Sequence, residues 1–291
     1  MHSSPVARYL LLAYTGLIAC ATLYPLTGWR DNGVPPWAYL TAPWPRHWTA
    51  FDLGFNLLAY VPLGCLAVWA VYPLMRGIVA VIAALLFGAL LSGSLEALQT
   101  YLPSRIPSLL DLLSNAGGAM LGGLIALPLT VPLLERSGFV KFRRSAFADG
   151  AVLGQGVAVL SLWGFAQVFP EAMLFGNGRI ADWIGLSETV PFSPAQYAVA
   201  EAAVTACQAL AACLIAASLT TTLALRSAAA ALLIVAGLGI KSMSFAAFFK
   251  AEHAFAWLTP GATNGLFAAA LLVVPLIFLP RALKQPCIAR R

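Results

Sequence analysis

The chain has 291 residues, of which 60% are hydrophobic and only 10% are charged, whereas soluble domains carry roughly 25% charged residues. The hydrophobic residues come in runs of about 18 to 25, the length that spans a hydrocarbon core as a helix. Composition therefore excludes an ordinary soluble domain, and we interpret the net charge of +6 as loop arginines and lysines and not as a nucleic-acid-binding surface.

Eight hydrophobic spans are predicted, which makes the protein an all-α, polytopic membrane helical bundle. A basic segment at about residues 135–150 separates the first four spans from the last four. We expect a four-helix domain over 1–134, a basic cytoplasmic linker over 135–150, and a second four-helix region over 151–291 with a basic tail. The spans cover about residues 9–26, 52–71, 78–98, 109–134, 151–169, 197–223, 228–249 and 264–279.

Lysine and arginine set the predicted orientation, because they accumulate in cytoplasmic loops. One side of the predicted bundle holds eleven of them, and the other side holds five: Arg30, Arg46, Arg105, Arg179 and Lys250. The pattern predicts that both termini are cytoplasmic and that the basic tail lies against an anionic inner leaflet.

Metal and cofactor motifs are missing from the sequence. The five cysteines have no CxxC spacing, so they indicate neither a zinc site nor a redox pair. The three histidines, His2, His47 and His253, are scattered. We assign no catalytic residue, no metal and no cofactor.

The two halves follow the same plan of span, long loop, span, tight turn with one arginine, span, short loop and span. At an offset of 145, Asn56 matches Glu201, Glu96 matches Lys241, and Pro25 matches Pro170; Asn115 matches Asn264 at 149. Four spans per unit would give a parallel repeat. The alternative is chance similarity between apolar helices.

Polar residues collect at the predicted outer ends of spans 2, 3 and 4. Spacings of three or four residues place each pair on one helix face, within about two turns of the surface at about 1.5 Å per residue. Charges there are costly and are functional candidates. The predicted substrate-binding residues are Asp52, Asn56, Glu96, Gln99, Arg105, Asp111 and Asn115.

The alternative for these residues is helix capping and packing. Asp52 and Asp111 lie at helix starts, where carboxylates cap free N–H groups, and Arg105 could pair with an acid. Glu96 is the residue that this alternative explains least well, because it lies near the end of its own helix, the unfavourable end for a negative charge.

Two further features indicate helix packing. Gly118 and Gly122 form a GxxxG spacing, which predicts close approach of another helix backbone. Glu201 and Lys241 lie in spans 6 and 7; since lone charges in a membrane are expensive, we expect them to form a structural intramembrane pair.

The first half resembles the VanZ-like family, which is named for a membrane protein associated with low-level teicoplanin resistance. The resemblance covers roughly residues 10–130 and lies in Asp52-x3-Asn56-x5-Pro62-Leu63-Gly64, Glu96-x2-Gln99 and Arg105-x5-Asp111-x3-Asn115-x2-Gly118. It implies a compact helical domain of the bacterial cytoplasmic (inner) membrane with these polar residues as its signature. It supplies no mechanism, and residues 150–291 depart from the pattern.

Three functions remain open at this point. The first is a non-enzymatic envelope protein that binds a lipid or amphiphile headgroup, such as a lipid-linked envelope component or a lipoglycopeptide, and alters glycopeptide sensitivity. The second is an enzyme acting on a lipid-linked substrate, with Asp52, Glu96 and Asp111 as acid/base groups. The third is a lipid or small-molecule transporter built on the repeat. The sequence does not indicate an oligomeric state.

Overall fold

The structure is a computed structural model that describes residues 4–24, 26–44, 49–135, 137–169, 173–176, 193–249 and 251–278. Nine helices of ten or more residues form this part of the chain, with 3-10 turns at Ala38–Leu40 and Ala251–His253. The helices are α1 Pro5–Leu23, α2 Ala50–Val71, α3 Ile78–Gln99, α4 Leu109–Leu134, α5 Ser137–Ala146, α6 Gly150–Ala166, α7 Pro194–Ser218, α8 Leu223–Phe248 and α9 Pro260–Phe278.

Seven of the described helices, all except α5 and α6, are long and apolar enough to cross a membrane. This confirms the predicted polytopic helical architecture. The predicted count of eight differs at the fifth span, where α6 is an apolar helix of only 17 residues. That length is the lower limit for crossing a hydrocarbon core, about 17 to 25 residues.

The chain divides into two compact units. Unit 1 contains residues 1–144 and 149–158, and unit 2 contains residues 145–148 and 159–291. The division by contacts therefore passes through α6, whose first half packs on α1 through Gly150 against Pro5 and Gly154 against Tyr9.

Unit 1 is built around the pair α2 and α4. Gly118 and Gly122 of α4 face the backbone carbonyls of Leu57 and Val61 on α2, and a Cβ atom at either glycine would collide with them. Gly64 of α2 meets the backbone of α4 in the same way. Small residues let two helix backbones touch in a membrane, where packing replaces the hydrophobic effect as the driving force.

Unit 2 pairs α7 with α9 in the same way. Gly261 and Gly265 of α9 face the carbonyls of Ala198 and Ala202 on α7, with 2.8 Å and 2.6 Å to the position that a Cβ atom would take. The two units thus share one construction: glycines four residues apart on the last helix contact carbonyls four residues apart on the earlier one.

The glycine contacts can be compared with the predicted repeat. Leu57 corresponds to Ala202 at the predicted offset of 145, but Gly118 corresponds to Gly265 at 147 and not at 149. In this register Asn115 corresponds to the buried Ala262. Asn264 is exposed whereas Asn115 is buried, so the two asparagines occupy different environments.

The predicted linker contains a helix. Helix α5 is amphipathic, with Lys141 and Arg143 beside Phe142, and the residues after it bond to the α7–α8 turn through the backbone of Ala148 and Leu219 at 2.8 Å. Several predicted features lie outside the described residues: Pro25, Arg46, Pro170, Arg179, Lys250 and the basic tail over 279–291.

Candidate functional site

The starts of α2 and α4 and the end of α3 meet at one end of unit 1. Asn56 of α2 donates from Nδ2 to Asp111 Oδ1 of α4 at 2.8 Å. One turn deeper, Asn115 of α4 donates from Nδ2 to Ser92 Oγ of α3 at 3.0 Å. Both bonds cross between helices, so the structure brings together the polar faces that the spacing placed on separate spans.

Capping residues set the positions of these side chains. Thr49 opens α2, where its Oγ1 accepts from the Asp52 backbone N–H at 3.0 Å, and Ser108 opens α4 in the same manner toward Leu110 at 3.2 Å. Asp52 and Asp111 then fall in the first turns, at the positive ends of their helices.

Glu96 has a structural partner that its own helix does not reveal. Its side chain is only 3% exposed, and Oε2 accepts from the backbone N–H of Ser108 at 2.8 Å. The carboxylate at the end of α3 therefore stabilises the start of α4, the favourable end of that helix for a negative charge. Helix capping therefore accounts for the hydrogen bond of one Glu96 oxygen, although we expected capping to explain this residue poorly.

Gln99 and Arg105 bind α1. Gln99 Nε2 donates to the Thr22 carbonyl at 3.1 Å, and Arg105 donates from Nε and Nη2 to the Tyr24 carbonyl at 3.0 and 2.8 Å. Within the described part of the chain, Arg105 forms no ion pair with an acid. These two residues tie the end of α1 to the α3–α4 hairpin and are less available to a ligand than we predicted.

Three carboxylates remain at this end of the unit, ordered by depth. Asp52 is exposed, Asp111 is half-buried, and Glu96 is buried. Asp111 lies within electrostatic reach of both other acids. Arg105 donates both bonds to a neutral carbonyl and keeps its charge, so three acids and one arginine lie at this end of the unit. This balance suits a cationic group better than a phosphate. The described residues contain no group of three His, Cys, Asp or Glu side chains arranged to hold a metal ion.

The sequence prediction missed Ser92 and Tyr60. The hydroxyl of Ser92 contacts both Asn115 and Tyr60, and Oδ1 of Asn115 is buried without a hydrogen-bond partner among the described residues. The position of Ser92 was the available signal, since it lies four residues before Glu96 and therefore on the same face of α3.

Glu201 and Lys241 have separate neighbours in unit 2. Lys241 Nζ donates to the Phe169 carbonyl at 2.8 Å and lies 5.8 Å from the centre of the Phe245 ring. Glu201 packs against Gly261, and its Oε1 has no hydrogen-bond partner among the described residues. The described residues show no ion pair between Glu201 and Lys241, and their contact stays a prediction.

The match to a known family lies in the half of the chain that carries the site. Residues 11–131 match the model of the VanZ/LLP1 family. The match confirms the predicted resemblance of about residues 10–130 to the VanZ-like family. No curated protein matches the chain, and no solved structure matches it. All seven predicted site residues lie inside the VanZ-like region, whereas Glu201, Lys241 and helices α7 to α9 lie outside it.

Proposed function

We propose that the VanZ-like region binds a headgroup that carries a primary ammonium, on an envelope lipid or another amphiphile, at the end of unit 1 where Asp52, Asp111 and Glu96 meet. By holding such a headgroup the protein would alter the sensitivity of the envelope to lipoglycopeptides. The observation that carries the proposal is the row of three carboxylates, from exposed to buried, with the nearby arginine already bound to a carbonyl.

An ammonium suits this row for two reasons. It provides three N–H donors, and the acids retain capacity to accept, since Glu96 and Asp111 each use one carboxylate oxygen in the bonds to Ser108 and Asn56. Neutralising buried like charges also relieves the cost of holding them at a membrane surface. The exposed Asp52 is the first group that an approaching headgroup would meet.

The test removes charge and retains the hydrogen bonds. In Glu96→Gln and Asp111→Asn a carboxamide oxygen can still accept from Ser108 or Asn56, so the helix contacts are kept. The protein in nanodiscs of phosphatidylethanolamine and phosphatidylcholine is extracted, and native mass spectrometry counts the lipid that remains bound. We expect wild type to prefer the ammonium lipid about tenfold and both variants to lose that preference, since a charge-assisted bond contributes about 1.5–3 kcal/mol.

The matched control is Glu201→Gln, which makes the same change at a buried acid of unit 2 and is expected to leave the preference intact. In cells, Glu96→Gln expressed at the wild-type level is expected to abolish any effect on teicoplanin sensitivity. Equal lipid retention by wild type and both unit 1 variants would return the cluster to a purely structural role.

A further inference from the structure

Unit 2 contains a cavity of about 460 Å³ between α7, α8 and α9. This volume lies within the range of ligand pockets, about 300–1,000 Å³. Its wall is formed mainly by alanines and branched aliphatic side chains, including Ala231, Ile234 and Ala270. Val235 and Val274 also line it and are themselves exposed, so the cavity opens to the surroundings of the bundle.

The length of the cavity corresponds to the thickness of the hydrocarbon layer in one leaflet of the bilayer. Along α8 its lining runs from Ser227 to Leu238, which is about 16 Å at 1.5 Å per residue. The hydrocarbon core of a bilayer is about 30 Å thick, so the cavity covers about half of it. It lies in the half where α8 begins and α9 ends, the side that the lysine and arginine pattern assigns to the cytoplasm.

We expect a hydrocarbon chain to fill this cavity. An apolar cavity does not hold water, which needs two to four polar partners, and an opening at membrane depth faces lipid tails. The small side chains of α8 and α9 leave room for an extended chain without displacing either helix.

A cationic group stands at the cytoplasmic end of the same face. Arg226 precedes Ala230 and Ile234 by one and two turns, so it lies on the row of α8 residues that lines the cavity. Its Nε is buried and has no hydrogen-bond partner among the described residues. Arginine pairs with phosphate oxygens through such N–H groups.

We propose that unit 2 binds an anionic phospholipid of the cytoplasmic leaflet, with one acyl chain in the α7–α8–α9 cavity and its phosphate on Arg226. This site is separate from the acidic cluster of unit 1 and takes a lipid of opposite headgroup charge. The length of the cavity, its apolar wall and the arginine at its end, whose Nε has no hydrogen-bond partner among the described residues, each match one part of that ligand.

The experiment uses full-length protein in nanodiscs of equal phosphatidylglycerol and phosphatidylcholine, extraction into detergent, and native mass spectrometry. Wild type is expected to retain one phosphatidylglycerol per chain, with about a tenfold preference. Ala231→Phe fills the cavity and is expected to abolish retention, whereas Ala236→Phe, exposed on the same helix and absent from the lining, retains the lipid. Ala270→Phe fills the cavity from α9 and replaces Ala231→Phe if that variant does not fold.

Arg226→Ala is expected to keep a bound lipid and lose the tenfold preference. Arg76→Ala, at the corresponding turn of unit 1, keeps the preference. Retention by both cavity-filled variants, an unchanged preference in Arg226→Ala, or a dimer that dissociates when the cavity is filled would overturn the proposal.

Discussion

The contact between α2 and α4 provides a sharp test of the packing in unit 1. In Gly122→Ala the new methyl group would meet the Val61 carbonyl, with its carbon 2.8 Å away and the Cys65 backbone nitrogen 3.1 Å away. Every neighbour in this contact is helix backbone, which cannot rotate aside as a side chain can. The variant is therefore expected to push the two helices apart.

The matched control is Gly117→Ala on the same helix, where a Cβ atom meets nothing within 4 Å. Both changes gain about 0.5–1 kcal/mol from the lower backbone entropy of alanine, so this gain cancels in the comparison. The remaining difference is the cost of overpacking, about 1–3 kcal/mol. At about 2 kcal/mol the two variants would differ in melting temperature by about 4–8 °C.

Thermal unfolding in detergent, followed by circular dichroism or by the loss of monodisperse protein, measures this difference. Gly117→Ala is expected to melt at or above the wild-type temperature, and Gly122→Ala below it. Equal melting temperatures for the two alanine variants would show that α2 and α4 do not approach as closely as the glycine contacts indicate.

Three further predictions concern other parts of the fold. A double-mutant cycle on Ser92→Ala and Asn115→Ala, measured by unfolding, is expected to give a coupling energy of about 0.6 kcal/mol, the average for interhelical hydrogen bonds in membranes, and at most about 1.7 kcal/mol. The hydrogen bond from Tyr72 to Glu135 raises the pKa of the tyrosine above its ordinary value of 10.0. The stability that this bond contributes is therefore complete below pH 10 and is lost as pH rises through the folded-state pKa. In melting experiments, Tyr72→Phe is expected to lose less stability at alkaline pH than wild type. Gly265→Ala is expected to lower the melting temperature, because its methyl group would enter the backbone of α7.

Each of these experiments has an internal reference. A coupling energy near zero in the cycle would mean that the two polar side chains act independently. If Tyr72→Phe and wild type lose the same stability at alkaline pH, the bond to Glu135 does not have the expected role. For the glycine of α9, Gly239→Ala on α8 is the comparison, since a Cβ atom there meets nothing within 4 Å.

The helices and the meeting of their polar faces follow from sequence because both depend on short-range spacing. Runs of about twenty apolar residues define the spans. Pairs such as Asp111 and Asn115, four residues apart, must share a helix face. Because α2, α3 and α4 alternate in direction, the start of α2, the end of α3 and the start of α4 lie at one depth. The hydrogen bond between Asn56 and Asp111 follows from this arrangement.

The partners of Glu96 and Arg105 could not be predicted, because both bind backbone groups. Almost every residue has a backbone N–H and every residue has a carbonyl, so the sequence does not indicate which of them a side chain will bind. The same reason accounts for Lys241, which donates to the Phe169 carbonyl.

The repeat shows a related limit. An offset of 145 aligns the carbonyls of α2 with those of α7, but the last helix of each unit aligns at 147, as Gly118 and Gly265 show. The polar match of Asn115 with Asn264 favoured a different register because identical residue types were compared without knowledge of which face each occupies.

The glycine contacts also impose an order on biosynthesis. In each unit, glycines of the last helix face backbone carbonyls of a helix that is not its neighbour in sequence: α4 faces α2, and α9 faces α7. During translation, α2 cannot form its contact with α4 until α3 and α4 have been inserted. In the same way, α7 cannot form its contact with α9 until α9 has been inserted. Each unit therefore completes its core only when its final helix arrives, and truncation before Gly118 or before Gly261 is expected to leave earlier helices inserted but unassembled.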